Sequence, residues 1–392
     1  MAQTTTPCRW ALLGLSSIAQ TFVDDILLPR DSSDPISHIV TSVSTTGGQE
    51  RAHKWLAERK VPNSQDVAVF ATFEEMLKSG DFDVIYISTP HPLHYPHALA
   101  ALNHKRNVLL EKPATMNRPQ LERLIQVSKE QGVVFMEAMW TRYLPATLFL
   151  QQHIMPQIGP IRRVFADLSV PIASKDMDLT SRLLDKEAGA GAWLDMGIYC
   201  LAWADVVLNP DNENKKIPKV VFADSIPYYT GKEDVDDINT VVISGKSESS
   251  GQSSAIAIVT TSLTLAGSNK SADRLAVKKV GPSVKIEAEN AQVCIPFPLI
   301  RPQELHVEWY GSEHLDEKGD AKAEVIKLPV ERGWGLWYQA DVIAKAVRDR
   351  KSENDQKPGL AIGEEESLRV MQWLDDAREL AGIKYDPASE AV

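Results

Sequence analysis

In the first part of the chain, apolar positions fall into two alternating rhythms. Short, nearly continuous apolar runs predict strands at 9–13, 37–44, 67–70, 83–88, 107–110 and 133–136. Between them lie segments with one apolar face, which predict helices at 18–28, 49–59, 73–78, 92–103 and 119–130. The run at 83–88 reads as a strand buried on both faces. Thr72 with Glu75 three residues on forms a capping box for the helix at 73–78. Pro29 stops the first helix and Gly132 ends the last. Strand–helix alternation of this kind builds a parallel sheet with right-handed crossovers.

After Pro145 the rhythm changes. Strand-like runs at 162–170, 238–244, 255–265, 274–280, 284–288, 291–295 and 304–309 follow one another, with turn signals at Ala266-Gly267 and Gly281-Pro282. They predict an open, largely antiparallel sheet. Helices are expected at 181–187, 192–208, 336–350 and 364–381, and the polar stretch 246–254 as a surface hairpin or loop. The expected organisation is therefore an α/β domain over 1–145 followed by an α+β domain over 146–392, whose final helix is free to pack back on the first.

Composition narrows the function. The chain has 392 residues, too many for one ordinary core, and 43% hydrophobic with 24% charged residues excludes disorder as its main state. A net charge of −11, with 53 acidic against 42 basic residues, argues against nucleic acid as the main partner but not against a small anionic cofactor. Cys8, Cys200 and Cys294 are far apart, fit no metal spacing and suit a reducing compartment, so a cytosolic address is expected. The apolar run at 10–15 is too short for a signal segment, and no stretch is expected to cross a membrane. His91, His94 and His97 recur every third residue, but Pro92 and Pro96 interrupt them and no Cys or acid joins them, so no metal is expected. An open sheet must cover its exposed side, which predicts a homodimer through that face.

The candidate chemistry begins at Gly14-Leu15-Ser16-Ser17-Ile18-Ala19, between the first strand and the first helix. That is where a dinucleotide-binding G-x-G-x-x-G/A loop belongs. Gly14 permits the tight turn, Ala19 allows close helix–strand packing, and the helix N-terminus offers free N–H groups to a pyrophosphate. The middle glycine is Ser16, whose Cβ pushes a phosphate outward while its hydroxyl can donate in exchange. The next strand ends in Ser44 and Thr45, with Arg51 just beyond and no acid to hold a ribose 2′-hydroxyl. Donors at that place favour NADP over NAD.

Lys112, in Glu111-Lys112-Pro113, closes the fifth strand at the carboxyl edge where ligands bind. Pro113 biases it towards extended backbone. There the lysine can reach a substrate oxygen beside the nicotinamide, with Glu111 touching the cofactor or anchoring the lysine. Asp195 and Tyr199 are four apart in an apolar helical run and should share one face, flanked by Gly189 and Gly191. Each residue alone also fits a structural role: a strand-end lysine reaching water, a partnered carboxylate, a packed tyrosine.

These segments together resemble the Gfo/Idh/MocA oxidoreductases: Gly14 to Ala19, Ser88-Thr89-Pro90 followed by His94, Glu111-Lys112-Pro113, and Leu194-Asp195-Met196-Gly197-Ile198-Tyr199. Within the family, the run from Met136 through Trp140-Thr141-Arg142 to Pro145 is similar to the dihydrodiol and NADP-dependent D-xylose dehydrogenases. The resemblance implies a Rossmann-type first domain and cofactor contacts from Thr89, Pro90 and His94. It also implies a substrate and nicotinamide pocket walled by Trp140 and Arg142, with Arg142 also touching the cofactor, and a catalytic pair Lys112 and Tyr199 with Asp195 beside them. The expected reaction moves a hydride between NADP and a sugar or cyclic diol, with Tyr199 as base and Lys112 donating to the substrate oxygen. The competing readings are a glycosidase of the same fold using NAD, and a non-catalytic NADP-binding sensor.

Overall fold

The computed structural model describes residues 7–30, 36–173, 177–208, 218–229, 231–232, 234–245, 255–267, 281–311, 314–315, 317, 319–352 and 359–392. The expected strand at 274–280 and the loop at 246–254 lie outside these. The chain divides into two compact units. The first comprises Met1–Trp140, Glu331–Ser367 and Ser389–Val392; the second comprises Thr141–Val330 and Leu368–Ala388.

In the first unit, the elements are β1 (Cys8–Leu13), α1 (Ser17–Ile26), β2 (His38–Ser44), α2 (Gly48–Glu58), β3 (Ala68–Phe70), α3 (Phe73–Ser79), β4 (Val84–Ile87), α4 (His94–Asn103), β5 (Asn107–Leu110), α5 (Arg118–Gln131) and β6 (Val134–Glu137). The sheet has the order β15-β6-β5-β4-β1-β2-β3 and every pairing is parallel, β15 being Leu360–Ile362. The capping box at Thr72 forms as expected, and Gly132 ends α5 in the left-handed conformation. Residues 92–103 do not wind as one helix: a 3-10 turn, His91–Leu93, precedes α4.

The core behind β1 is aromatic. Phe22 stacks on Tyr86 with ring centres 4.0 Å apart, and Trp10 meets Phe22 edge-on. The buried Asp25 on α1 accepts hydrogen bonds from the backbone N–H groups of Trp334, Gly335 and Leu336, and so caps α8 (Leu336–Ser352) from outside that helix.

The second unit holds α6 (Pro145–Phe149), β7 (Ile161–Ser169), α7 (Ile198–Leu208), β8 (Lys219–Pro227), β9 (Asp236–Gly245), β10 (Ala255–Ser262), β11 (Pro282–Ala288), β12 (Ala291–Pro296), β13 (Glu304–Trp309), β14 (Ala323–Lys327) and most of α9 (Glu364–Ala381). Its sheet has the order β14-β13-β12-β11-β7-β10-β9-β8, antiparallel except for β7 with β10. The expected α/β domain followed by a large, mostly antiparallel sheet is thus observed.

Two expectations need correction here. Residues 181–187 form two 3-10 turns, Arg182–Leu184 and Lys186–Ala188, because the Asp185 carboxylate accepts the Glu187 N–H and competes with helix continuation. Residues Lys186–Leu208 are long and apolar enough to cross a membrane by length and composition, contrary to the sequence expectation. Its most apolar 18-residue window is 94% buried within the protein, as a core segment would be.

Candidate active site

In the first unit the strand order reverses between β1 and β4, and a crevice at such a switch point is where α/β sheets bind ligands. Gly14 leaves β1 with φ +88°, and a side chain there would press on the Ser88 carbonyl at 3.3 Å. Its N–H donates to the Ser44 carbonyl at 3.1 Å, which joins the ends of β1 and β2. Ser16, in place of the usual second glycine, has ordinary extended backbone and caps α1: its Oγ accepts the Ala19 N–H at 3.2 Å and lies 3.1 Å from Ser88 Oγ. The cap leaves the N–H groups of Ser17 and Ile18 ahead of the first intrahelical bonds, free to face an anion.

At the end of β2, Ser44 is buried and Thr45 half-buried. The Thr45 Oγ1 accepts the Gly47 N–H at 3.3 Å, and the chain turns into α2. The Arg51 side chain folds back over Gly47 so closely that a Cβ there would fall 2.3 Å from its Cδ. The exposed Arg51 side chain thus lies against Gly47, in the turn that follows the hydroxyl-bearing strand end.

The ends of β4 and β5 carry the next group. Thr89 and Lys112 are half-buried and Pro90 is exposed. His94 is buried with Nδ1 2.8 Å from the Pro113 carbonyl and Nε2 2.8 Å from the Thr89 carbonyl, so it lies between the two strand ends and, when neutral, donates to one of these carbonyls. Burial, reinforced by His91 and Lys112, outweighs these two acceptors and pushes the imidazole down to about 3. Glu111 is buried and accepts from the Tyr86 hydroxyl at 2.6 Å and the Lys112 N–H at 3.2 Å; burial raises its carboxyl above the usual range. Lys112–Pro113 is a cis peptide. Sequence reasoning missed Glu137 as a support. It accepts the Ala114 N–H at 2.9 Å and the Ser367 hydroxyl at 2.5 Å, and so fixes the loop that follows Lys112. The only signal for it was its place at the head of the Glu-Ala-Met-Trp-Thr-Arg run. Trp140 is buried at the end of this unit.

In the second unit, Arg142 turns to a buried aspartate. Its Nη2 lies 3.7 Å from Asp205 Oδ2 on α7, while Arg369 Nε donates to the other oxygen at 2.8 Å. Asp195 lies in a π-helical turn, Trp193–Gly197, ahead of α7, and Tyr199 lies on α7 itself. The i→i+5 winding at Asp195 departs from the expected α-helix, while a four-residue spacing still keeps two side chains on roughly one side of such a turn. Packing explains the wide turn: a Cβ on Gly197 would fall 2.5 Å from the Trp193 ring, which occupies that place instead. Asp195 is half-buried with Arg182 Nη2 3.9 Å away, and Tyr199 is 8% exposed. Among the described residues no cluster of His, Cys, Asp and Glu could hold a metal ion.

The first unit thus offers a glycine-permitted turn, two free helix N–H groups, and an arginine beside a strand end without an acid. This set fits a dinucleotide with an added phosphate. Comparison with known proteins agrees with the fold and the class. The chain is 27% identical to a D-xylose 1-dehydrogenase (NADP(+)) of Hypocrea jecorina, over 96% of this chain and 93% of that protein. It is 29% identical to a trans-1,2-dihydrobenzene-1,2-diol dehydrogenase of Danio rerio, covering 92% and 98%. The 3-ketoreductase KijD10 of Actinomadura kijaniata, solved with NADP and TDP-benzene, shares the fold with a TM-score of 0.72 at 20% identity, covering 96% and 98%. Residues 8–139 match the family model described as "Oxidoreductase family, NAD-binding Rossmann fold", and this part of the chain is a Gfo/Idh/MocA-family domain.

Proposed function

We propose that this protein is an NADP-dependent dehydrogenase acting on a CH–OH group of a sugar or cyclic diol, as an aldose 1-dehydrogenase for substrates such as D-xylose or as a trans-dihydrodiol dehydrogenase. The observation that carries the cofactor choice is Arg51 folded over Gly47 at a strand end bearing Ser44 and Thr45. The relatives named above support the substrate class. NADP, when bound, supplies the hydride acceptor at C4 of its nicotinamide. The protein's own part is to bind and orient it and to manage the hydroxyl proton. Gly14, Ser16, Ser17, Ile18 and Ala19 form the phosphate cradle, and Thr89, Pro90, His94 and Glu111 shape the strand ends beyond it. Tyr199, as a phenolate favoured by the Lys112 ammonium, takes the hydroxyl proton and becomes phenol as the hydride departs, Lys112 donates to the same oxygen, and Asp195 orients a neighbouring hydroxyl. Trp140 and Arg142 contribute to the substrate wall.

The direct test is a panel of aldoses and cyclic diols offered with NADP or NAD, followed by nicotinamide absorbance. Reduction of NADP on at least one substrate is the expected result. A protein that binds NADP but turns over none of them would be a sensor instead, and one that cleaves a glycoside with retained NAD would be the glycosidase.

Arg51→Ala is expected to raise the KM for NADP by about 10–100-fold while leaving that for NAD unchanged, the range of a lost hydrogen bond to a charged group. An unaltered preference between the two cofactors would remove Arg51 from the 2′-phosphate site.

The proposed assembly is a homodimer through the open sheet. Its support is the exposure of Val221, Phe222, Ile226, Ile256 and Val325 on that sheet's strands. The cytosol is the proposed location, supported by the sparse, widely separated cysteines Cys8, Cys200 and Cys294.

A further inference from the structure

We infer that Asp236 is a positioning residue for the proposed chemistry, holding the π-turn that carries Asp195 and so setting the direction of Asp195 relative to Tyr199. The inference rests on the dehydrogenase reading for its catalytic consequence, and on the second unit alone for its geometry.

Asp236 opens β9 and is 3% exposed. One carboxylate oxygen, Oδ2, accepts the Trp193 N–H at 2.7 Å and the Asn239 side-chain amide at 2.8 Å. Trp193 is the first residue of the π-turn, and its N–H is among the donors that a helix start leaves without an intrahelical acceptor. A carboxylate in that place is a charge-assisted cap and also faces the positive end of the helix dipole.

Among the described residues the second oxygen, Oδ1, has no hydrogen-bond partner, and it lies against Gly191. A Cβ on Gly191 would fall 2.0 Å from it, and Gly191 has φ +128°, where side chains are rarely tolerated. The carboxylate therefore fits only because residue 191 is glycine. The residue before it is also fixed, since the Tyr385 hydroxyl donates to the Ala190 carbonyl at 3.3 Å. At the far end of the turn, Gly197 admits the Trp193 ring.

Asp195 thus sits between two glycine-dependent contacts, one made by Asp236 and one by Trp193. Leaving a carboxylate oxygen buried and unpaired is costly, and the cost is offset only by what the other oxygen holds. If the wide turn relaxed to ordinary α-helical winding, the residues before it would rotate about the helix axis relative to those after it. Asp195 would then leave its direction while Tyr199 kept its own.

The test compares Asp236→Ala and Asp236→Asn in the full chain, with amide hydrogen exchange over residues 191–199 and steady-state kinetics. Asparagine keeps an acceptor for the Trp193 N–H; alanine does not. Asp236→Ala is expected to speed exchange at 193–197 by at least ~10-fold, and to lower kcat by about 10–100-fold while KM for NADP stays unchanged. Asp236→Asn is expected to restore most of both. Native exchange over 193–197 in Asp236→Ala, or an Asp236→Asn enzyme as slow as Asp236→Ala, overturns the inference. Should Asp236→Ala fail to fold, Gly191→Ala displaces the carboxylate without removing it, and the same exchange and kcat changes are expected of it. Absence of any turnover by the unaltered protein would sink the dehydrogenase reading alone, because the exchange comparison still decides whether Asp236 holds the turn.

Discussion

Tyr199→Phe is expected to lose more than ~100-fold in turnover while NADP binding is unchanged. Tyr199 is 8% exposed on α7, so phenylalanine keeps the ring's packing and removes only the hydroxyl. The groups assigned to the dinucleotide, from Gly14 to Arg51, belong to the other unit and are untouched by the change. Calorimetric titration with NADP should therefore match the unaltered protein, and the deficit should fall on kcat. A hydroxyl that carries the proton is needed in the transition state and not for cofactor binding, which is the pattern of a selective kcat loss. Normal turnover in Tyr199→Phe would place the base elsewhere, with Lys112 and Asp195 next in line. Lys112→Met separates these roles, because it removes the donor to the substrate oxygen and leaves the phenol.

The second large effect concerns stability in mild acid. His94 is held at about 3, below the ordinary histidine value of 6.5. The folded state therefore binds fewer protons than the unfolded state between these values, so stability rises with pH across that window. The contribution is fully present above 6.5 and is lost as pH falls towards 3. Between pH ~7 and ~5 the loss from His94 alone is about 2 kcal/mol. His38 and His97 act in the same direction, since burial lowers both. The Glu111 and Asp236 carboxyls, raised by burial, act in the opposite direction, so the His94 share must be isolated. Urea unfolding midpoints at pH ~7 and ~5 measure the fall, and His94→Gln isolates the share of this one ring. Glutamine is neutral at both values and can still donate to a carbonyl, so its midpoint should fall by less than that of the unaltered protein. Equal falls in the two proteins would mean that His94 is already charged in the fold, donating to the Thr89 and Pro113 carbonyls together.

The fold was legible where local rules and packing agree. β4 is a run of four apolar residues buried on both faces, and α3 carries its own capping box. Three strands escaped notice, each for a physical reason. β8 carries the apolar run Val220-Val221-Phe222-Ala223 but is a largely exposed edge strand, and β14 is an edge strand of alternating partial burial without such a run. β15 has only three residues and exists because β6 offers it an edge.

The phosphate loop was legible from its glycine, but the meaning of Ser16 was not. Substituting serine for glycine looked like a defect in the loop. The structure shows it as the cap of α1, bonded to the Ala19 N–H. The π-turn was not legible either. Its cause lies in Asp236, more than forty residues away from Trp193, and in the contact of a ring with Gly197. Spacing rules that assume 3.6 residues per turn cannot register such tertiary causes.

The first unit's discontinuity bears on how the protein is made. α8 and β15 belong to that unit, yet 190 residues of the second unit, Thr141–Val330, are translated before them. On a ribosome, β1 to β6 emerge early with the edge of β6 unpaired and Asp25 without the backbone donors it later caps. The nascent Rossmann domain must wait, incomplete and with an open strand edge, until nearly the whole chain has been synthesised. Cofactor binding cannot be expected to rescue that intermediate fully, because the missing pieces are structural. A chain released before residue 362 should be prone to aggregation and a natural client of chaperones that shield strand edges.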